Sequence, residues 1–182
     1  MFPAAGRSVM ASDRSSPVSA WVERWSRRIS QAGCVLDVAA GNGRHARYLA
    51  RLGFCVEAVD RDVSGLSAQP NLAVRQADLE NDLWPYCGRQ FAAIVVTNYL
   101  HRPLFPLLLD ALAPDGVLIY ETFMVGNERY GRPANPDFLL KPNELLGVTE
   151  GLEVLGFEQG YAADPRPAMV QRICARRRGP TS

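Results

Sequence analysis

The clearest chemical pattern in the chain is a glycine turn between an apolar strand and a helix, in the segment VLDVAAGNGRHARYLA at residues 35–50. Gly41, Gly43 and Ala46 fit the spacing G-x-G-x-x-[GA], in which glycines let the backbone turn sharply and approach a ligand closely. The following helix offers free N–H groups at its start. Asp60 ends the next apolar segment, where a carboxylate can accept both ribose hydroxyls of an adenosine group. Together these residues predict an adenosine-binding site.

Asp37 separates two chemistries that share this layout, hydride transfer with a nicotinamide cofactor and methyl transfer from S-adenosylmethionine. It lies inside the first strand, where a buried carboxylate is costly without a partner. Its partner could be the backbone N–H groups of the glycine turn or the cationic end of a methionine moiety, or it could brace the loop without touching a ligand. A nearby pyrophosphate would be repelled. Methyl transfer is favoured, and a nicotinamide-dependent oxidoreductase and a non-catalytic S-adenosylmethionine-binding module remain alternatives.

An alternation of apolar strands and helices must position these residues. The segments CVLDVA, FCVEAVD, NLAVRQA, FAAIVVT and GVLIYETF have strand patterns, and helices are predicted at 62–68, 103–112 and 143–148. Such alternation is typical of a parallel sheet covered by helices on both faces. The last two predicted strands, 152–161 and 168–177, are joined by a tight turn and must be antiparallel.

A helix is also predicted near the N-terminus. Ser16 and Pro17 are suited to its start, and Gly33 can end it. Trp21 and Trp25 follow at helical spacing. We expect them to pack in the core or to cover a ligand cleft.

Length and composition indicate one globular domain. The chain has 182 residues, of which 47% are apolar and 21% are charged, and a domain averages about 150 residues. We assign residues 16–178 to this domain and residues 1–15 to a disordered leader, in which Met10 could be an alternative start to Met1. The net charge of +1 argues against a broad nucleic-acid surface. No apolar run reaches the roughly 18 residues of a membrane helix.

The four cysteines, Cys34, Cys55, Cys87 and Cys174, form no CxxC pair. We expect buried free thiols, which predict a cytoplasmic location. Only His45 and His101 are available as histidine ligands, so no metal site is expected.

The sequence resembles the class I S-adenosylmethionine-dependent methyltransferases over about residues 33–176. VLDVAAGNGR is similar to their motif I, VDRD to the acidic second motif, and QADLEND to the third motif, in which an acid and an apolar neighbour face the adenine. FAAIVVTNYLHRPL resembles the fourth-strand motif and LAPDGVLIYETF the fifth strand. Within the class, the compact layout is similar to the small tellurite-resistance methyltransferases.

The resemblance implies S-adenosyl-L-methionine as the cofactor and a Rossmann-like, doubly wound α/β fold. Its seven-stranded sheet is mostly parallel, in the order 3-2-1-4-5-7-6, with strand seven antiparallel, which agrees with the predicted C-terminal hairpin. Ala39 stands where the family usually has its first glycine, and we expect binding to survive. The implied cofactor-binding residues are Asp37, Ala39, Gly41, Gly43, Asp60, Arg61, Asp78, Leu79 and Asn98.

The acceptor should lie at the carboxyl ends of strands four and five. The candidate catalytic residues there are Tyr99, His101 and Glu121. A general base is needed only for a protonated acceptor, and His101 could instead be bonded to backbone. Glu121 could contact the substrate or pair with Arg102. TNYL at residues 97–100 lacks the [DN]-P-P-[YF] pattern of enzymes that methylate amino groups of nucleic acids.

Residues 124–141 are aperiodic and rich in glycine and proline, which predicts a long loop that could act as a substrate lid. Its arginines would suit an anionic acceptor, although a solvated turn remains an alternative. The predicted substrate residues are Arg102, Arg129, Tyr130 and Arg132. A small-molecule substrate is favoured, an RNA or protein acceptor stays open, no membrane partner is expected, and the sequence does not define the oligomeric state.

Overall fold

The part of the chain that carries the fold runs from residue 17 to residue 179, which are the residues described by a computed structural model. The predicted leader at 1–15, the alternative start at Met10 and the predicted helix start at Ser16 lie outside the described residues.

A seven-stranded sheet in the order β3-β2-β1-β4-β5-β7-β6 forms the centre of the molecule. The first five strands are parallel to one another, whereas β7 is antiparallel to both of its neighbours, β5 and β6. This confirms the predicted topology and the C-terminal hairpin. Strand order reverses between β1 and β4, the position where ligands bind in open α/β sheets. The strands are β1 Val35–Val38, β2 Val56–Asp60, β3 Leu72–Gln76, β4 Phe91–Thr97, β5 Leu112–Phe123, β6 Glu153–Ala162 and β7 Ala168–Arg176.

Short helices cover the sheet. They are α1 Ala20–Ser26, α2 Arg44–Arg51, α3 Phe105–Asp110 and α4 Glu144–Val148, with 3-10 turns at Arg102–Leu104, Asn127–Arg129 and Pro136–Phe138. The predicted bounds of the first helix are wrong. Ser19 caps α1 by accepting a hydrogen bond from the N–H of Trp21, and the helix ends at Ser26, well before Gly33.

The predicted helix at 62–68 is also wrong, because this segment is irregular with a turn at residues 64–65. The Asp60 carboxylate accepts the N–H of Asp62 at 3.0 Å, and the Asp62 carboxylate accepts the N–H of Ser64 at 3.0 Å. Such local side-chain bonds compete with helical hydrogen bonds and favour turns.

The helix α1 is clamped to the C-terminal hairpin. Both tryptophans are buried, and the indole N–H of Trp21 donates to the carbonyl of Ile173 at 3.2 Å. Gly156 on β6 makes room for the Trp25 ring, because a Cβ atom at this position would run into it. The predicted core role of the tryptophans is confirmed.

Cys34 and Cys55 form a disulfide with their Cα atoms 4.6 Å apart. The expectation that all four cysteines are free is therefore wrong. Val35 and Val56 are partners in the β1–β2 register, so the cysteines that precede them are brought together. Among the described residues, Cys87 is a free exposed thiol and Cys174 a free buried one. Burial raises the pKa of Cys174 to about 12.

The loop at 124–141 is fixed at both ends. The Asn127 side chain donates to the carbonyl of Pro133 at 3.0 Å and accepts the N–H of Met169 on β7 at 3.1 Å. At the far end Leu139 and Leu140 are buried, and Leu140 donates its N–H to Phe123 at 3.0 Å. No helix within residues 17–179 is long and apolar enough to cross a bilayer.

Candidate active site

The turn after β1 adopts left-handed backbone at three positions, with φ of 52° at Ala39, 56° at Gly41 and 73° at Gly43. Glycine adopts this conformation without strain, whereas alanine adopts it only at a cost in free energy. A Cβ atom on Gly43 would run into the side chain of Leu66, whereas one on Gly41 would meet nothing within 4 Å. Gly43 is therefore favoured by its left-handed backbone and by the position of Leu66, and Gly41 faces open space.

Asp60 fixes this turn from the end of β2. Its carboxylate is buried, with 3% of the residue exposed, and accepts the N–H of Gly41 at 2.8 Å. One cleft is lined by this carboxylate together with Ala39, Arg61, Ala77, Asp78, Leu79, Glu80 and Tyr99. The structure thus brings five of the predicted cofactor residues together with Tyr99, which was predicted as catalytic.

Asp78 lies at the edge of this cleft, beside the buried side chain of Leu79. Its carboxylate accepts the side-chain amide of Asn81 and the N–H of Glu80, both at 3.0 Å. These hydrogen bonds lower the pKa of Asp78. The arrangement places an acid and an apolar surface side by side, as the third motif predicts.

Asp37 is a buried carboxylate with 1% exposure. Among the residues that the structure describes, neither of its oxygens has a hydrogen-bond partner. Burial raises the pKa of Asp37 to about 7. The backbone N–H of Ala46 approaches the carboxylate without hydrogen-bonding geometry, so this N–H and the charge of Arg44 counter the effect of burial only in part. An orphaned buried carboxylate beside the glycine turn fits a cationic ligand group, such as the ammonium of a methionine moiety.

His45 is a positioning residue that the sequence analysis did not assign. Its Nδ1 lies 3.2 Å from the hydroxyl of Thr97 at the end of β4, and its Nε2 accepts the N–H of Ser19 at 3.2 Å. This network places the proton on Nδ1. Burial lowers the pKa of His45 to about 3, so the ring is neutral. The ring joins the start of α1 to the site, a contact that no local pattern predicts.

The turn after β4 holds the next predicted residues. Asn98 is exposed, has a φ of 54° and donates its N–H to the carbonyl of Glu121 at 2.9 Å. The Tyr99 carbonyl accepts the hydroxyl of Tyr120 at 2.8 Å. His101 is half-buried at the start of a 3-10 turn.

Arg102 ties the loop at 124–141 to α4. Its guanidinium binds both carboxylate oxygens of Glu144, at 2.6 and 3.0 Å, and donates to the carbonyls of Asp137 and Leu139 at 2.8 and 2.9 Å. Of the two alternatives for Glu121, pairing with Arg102 is wrong, because Arg102 binds Glu144, which follows the loop directly. This fork of hydrogen bonds raises the pKa of Arg102. Four of its five N–H donors bind the protein, so the structure supports a role for Arg102 in holding the loop.

Glu121 instead meets Arg172, which the sequence analysis also missed. The guanidinium Nε lies 2.5 Å from the carboxylate, and the two residues are partners in the β5–β7 register. Strand pairing brings them together from distant parts of the chain, so only the register identifies the pair.

The other predicted substrate residues lie apart from the cleft that Asp60 lines. Arg129, Tyr130 and Arg132 are exposed. The Tyr130 ring contacts the ring of Tyr161 on β6, with centroids 5.4 Å apart. The middle of the loop therefore rests against the terminal hairpin.

The fold and the cleft define a class of protein, the α/β enzymes that bind an adenosine-containing cofactor beyond the carboxyl edge of the sheet. A family model described as a methyltransferase domain matches residues 10–141. The chain belongs to this family of methyltransferase domains. This confirms the expected methyltransferase class over the nicotinamide alternative, and a structure of the same fold holds S-adenosylmethionine.

Solved structures share the fold at low identity. TehB from Haemophilus influenzae is 19% identical with a TM-score of 0.72, and the match covers 88% of this chain and 63% of that one. An S-adenosylmethionine-dependent methyltransferase from Methanosarcina mazei is 12% identical with a TM-score of 0.67, covering 91% and 100%. The glycopeptide N-methyltransferase MtfA with S-adenosylmethionine is 18% identical with a TM-score of 0.61, covering 96% and 100%. The chain thus spans less than two thirds of TehB. No curated protein matches the sequence.

Proposed function

We propose that this methyltransferase acts on a small acceptor that carries an anionic group, which the arginines of the loop at 124–141 bind. The observation that carries the proposal is the pair of exposed residues Arg129 and Arg132, on a loop that follows β5 and is tethered at both ends. Arginine is suited to carboxylates and phosphates because its planar fork donates two parallel hydrogen bonds.

For the cofactor, we propose that Asp60 holds the ribose hydroxyls, that Asp78 and Leu79 flank the adenine, and that Asp37 meets the methionine ammonium. Ala39, Gly41, Gly43, Arg61 and Asn98 complete this site. When bound, S-adenosylmethionine supplies an electrophilic methyl group on a sulfonium. The residues of the chain then have to orient the acceptor and exclude water. Closure of a loop fixed at both ends would do both.

The test is a pair of substitutions in the loop. We expect Arg129→Ala and Arg132→Ala together to leave the affinity for S-adenosylmethionine within about twofold, or ~0.4 kcal/mol, in calorimetry. Transfer of labelled methyl groups into the small-molecule fraction of a bacterial lysate should fall by about tenfold or more. The matched control is Arg51→Ala, an exposed arginine on α2. Full transfer activity in the double variant would contradict the lid.

We also propose a cytoplasmic location, which now rests on Cys87 and no longer on all four cysteines. The Cys34–Cys55 disulfide removes the expectation of uniformly reduced cysteines. The exposed free thiol of Cys87 supports a reducing compartment, because oxidising compartments favour paired cysteines. To test this location, cells are quenched with acid, free thiols are alkylated, and the number of alkylated cysteines in the protein is counted. Complete oxidation of Cys87 would count against it.

A further inference from the structure

A row of charged side chains crosses three strands on the face of the sheet that α1 covers. Arg172 on β7 is the register partner of Glu121 on β5 and of Glu158 on β6. Its Nε lies 2.5 Å from the Glu121 carboxylate, and its Nη1 lies 3.5 Å from that of Glu158. Arg24 of α1 reaches the other oxygen of Glu158 at 3.3 Å. Charges of opposite sign therefore alternate from the interior to the rim.

The inner end of this row is a buried ion pair. Glu121 is only 8% exposed, and the Nε of Arg172 lies 2.5 Å from its carboxylate. Because desolvation makes a buried ion pair costly, stability alone does not explain this pair. Side-chain exposure rises from 11% at Glu121 to 21% at Arg172 and 50% at Glu158. The row is therefore accessible from its outer end.

This row lies at the edge of the sheet where the acceptor must bind. Thr97, the last residue of β4, is the register partner of Glu121, and its hydroxyl contacts His45. The orphaned carboxylate of Asp37 is on the same face, because its partner Val95 in β4 precedes Thr97 by two residues. Two strand spacings, roughly 10 Å, separate β1 from β5. Asp37 and Glu121 thus belong to one end of the sheet and one face.

We propose that Glu121, held in place by Arg172, receives a proton-bearing nucleophile, so that the acceptor is a small alcohol or amine rather than a preformed oxyanion. This deepens the proposed function and rests on it. In the transfer, an O–C or N–C bond forms as the methyl–sulfur bond breaks, the electron pair of that bond stays on sulfur, and the acceptor's proton passes to the Glu121 carboxylate. A preformed oxyanion has no proton to give and is repelled by this carboxylate. The anionic group that the loop arginines bind is a different part of the acceptor.

Arg172 is a positioning residue in this scheme, because it contacts the carboxylate and fixes its direction. A lysine keeps the charge but loses the planar fork. We therefore expect Arg172→Lys to retain part of the turnover that Arg172→Met loses.

The experiment measures methyl transfer from tritium-labelled S-adenosylmethionine into two separate acceptor sources, the ultrafiltered small-molecule fraction of a bacterial lysate and sodium selenite. Glu121→Gln removes the base at constant size, and Glu121→Asp restores a carboxylate. Glu158→Gln is the matched control, because it removes the rim carboxylate from the same arginine. Calorimetry with S-adenosylmethionine and thermal unfolding are recorded for every variant.

We expect the wild-type protein to label the lysate fraction and not selenite. Glu121→Gln should lower kcat by about 100-fold or more, Glu121→Asp should recover part of it, and Glu158→Gln and all cofactor affinities should stay within about threefold. Labelled selenite, or a Glu121→Gln variant of normal kcat, would overturn this inference and leave the methyltransferase assignment intact. Absence of labelling from both sources with the cofactor bound would overturn the small-acceptor proposal together with it. Loss of folding in Glu121→Asp as well as Glu121→Gln would assign the pair to stability and overturn it.

Discussion

The buried carboxylate of Asp37 lowers the stability of the ligand-free protein and favours the binding of a cationic ligand group. A carboxylate buried without a hydrogen-bond partner destabilises the ligand-free protein, and a cationic ligand group would satisfy it. Its pKa, raised by burial to about 7 from a usual 3.8, records this cost. The proposed contact with a cationic ligand group accounts for a carboxylate at this position.

We expect Asp37→Asn to stabilise the ligand-free protein at pH 8 and to weaken cofactor binding. The gain in the free energy of unfolding is on the order of 2–4 kcal/mol, because the neutral amide removes the cost of ionising a buried acid. Affinity for S-adenosylmethionine should fall by about tenfold or more, since the ammonium loses its partner. Chemical denaturation and calorimetry check the two effects. Asp110→Asn, on an exposed residue, is the control and should change neither, and a destabilised Asp37→Asn would contradict the account.

Ala39 is the second residue of the site with an unfavourable conformational energy. Its φ of 52° lies in the left-handed region, which costs alanine roughly 1–2 kcal/mol relative to right-handed backbone. We expect Ala39→Gly to raise the free energy of unfolding by about 0.5–1 kcal/mol, after the greater chain entropy of glycine is subtracted. Affinity for S-adenosylmethionine should stay within about twofold.

The control for this change is Ala73→Gly, on the exposed side of β3, where no left-handed φ is involved. Here the glycine should destabilise by about 0.5–1 kcal/mol. If both glycines lower the midpoint of thermal unfolding, strain at Ala39 is not the reason for the usual glycine of the motif.

The contact between Trp25 and Gly156 on β6 contributes to the position of α1. A methyl group at Gly156 would run into the Trp25 ring, and α1 also carries Arg24 toward Glu158 and begins at the Ser19 contact with His45. We expect Gly156→Ala to destabilise the protein by about 1–3 kcal/mol through overpacking. Faster proteolysis near residue 20 should accompany it.

Gly147 in α4 is the matched control, because a Cβ atom there meets nothing within 4 Å. Gly147→Ala should be neutral or stabilise by up to about 1 kcal/mol, the difference in helix propensity. Equal effects of the two substitutions on thermal unfolding would remove the Trp25–Gly156 contact as the cause.

Local patterns predicted the elements well and the contacts between them poorly. The strands and the hairpin followed from apolar runs and turn residues, and Asp60 lies beside the glycine turn as expected. The helix at 62–68 failed because aspartate side chains bonded to nearby backbone. The disulfide and Arg172 were missed because strand pairing, which no local pattern encodes, creates both.

At the scale of the whole molecule, two buried groups oppose one another in their response to pH. Between pH 5 and 6, Asp37 is protonated when folded and ionised when unfolded, so its contribution to stability falls as pH rises, by about 1.4 kcal/mol per unit. His45 has a folded pKa of about 3 and a usual value of 6.5. It is neutral when folded and charged when unfolded, so its contribution rises with pH by the same amount.

We therefore expect the stability of the ligand-free wild-type protein to change little between pH 5 and 6. Asp37→Asn should leave a rising stability with pH, and His45→Gln a falling one. Denaturant midpoints across this window check the three slopes. If stability changes with pH in the same direction in both variants, then one of these two groups does not have the folded-state pKa that we give for it.

The proposed acceptor residues and the proposed cofactor residues lie in different parts of the chain, which bears on how specificity for the acceptor could change. Every proposed cofactor residue lies before residue 142, within the stretch that matches the family, whereas Arg172 comes from the hairpin that follows. Grafting a foreign hairpin, with Gln171 retained because its side chain accepts the N–H of Leu145 and Gly156 retained because it makes room for Trp25, would exchange one wall of the proposed acceptor site. Such a graft would alter the proposed acceptor site while the proposed cofactor residues stay unchanged.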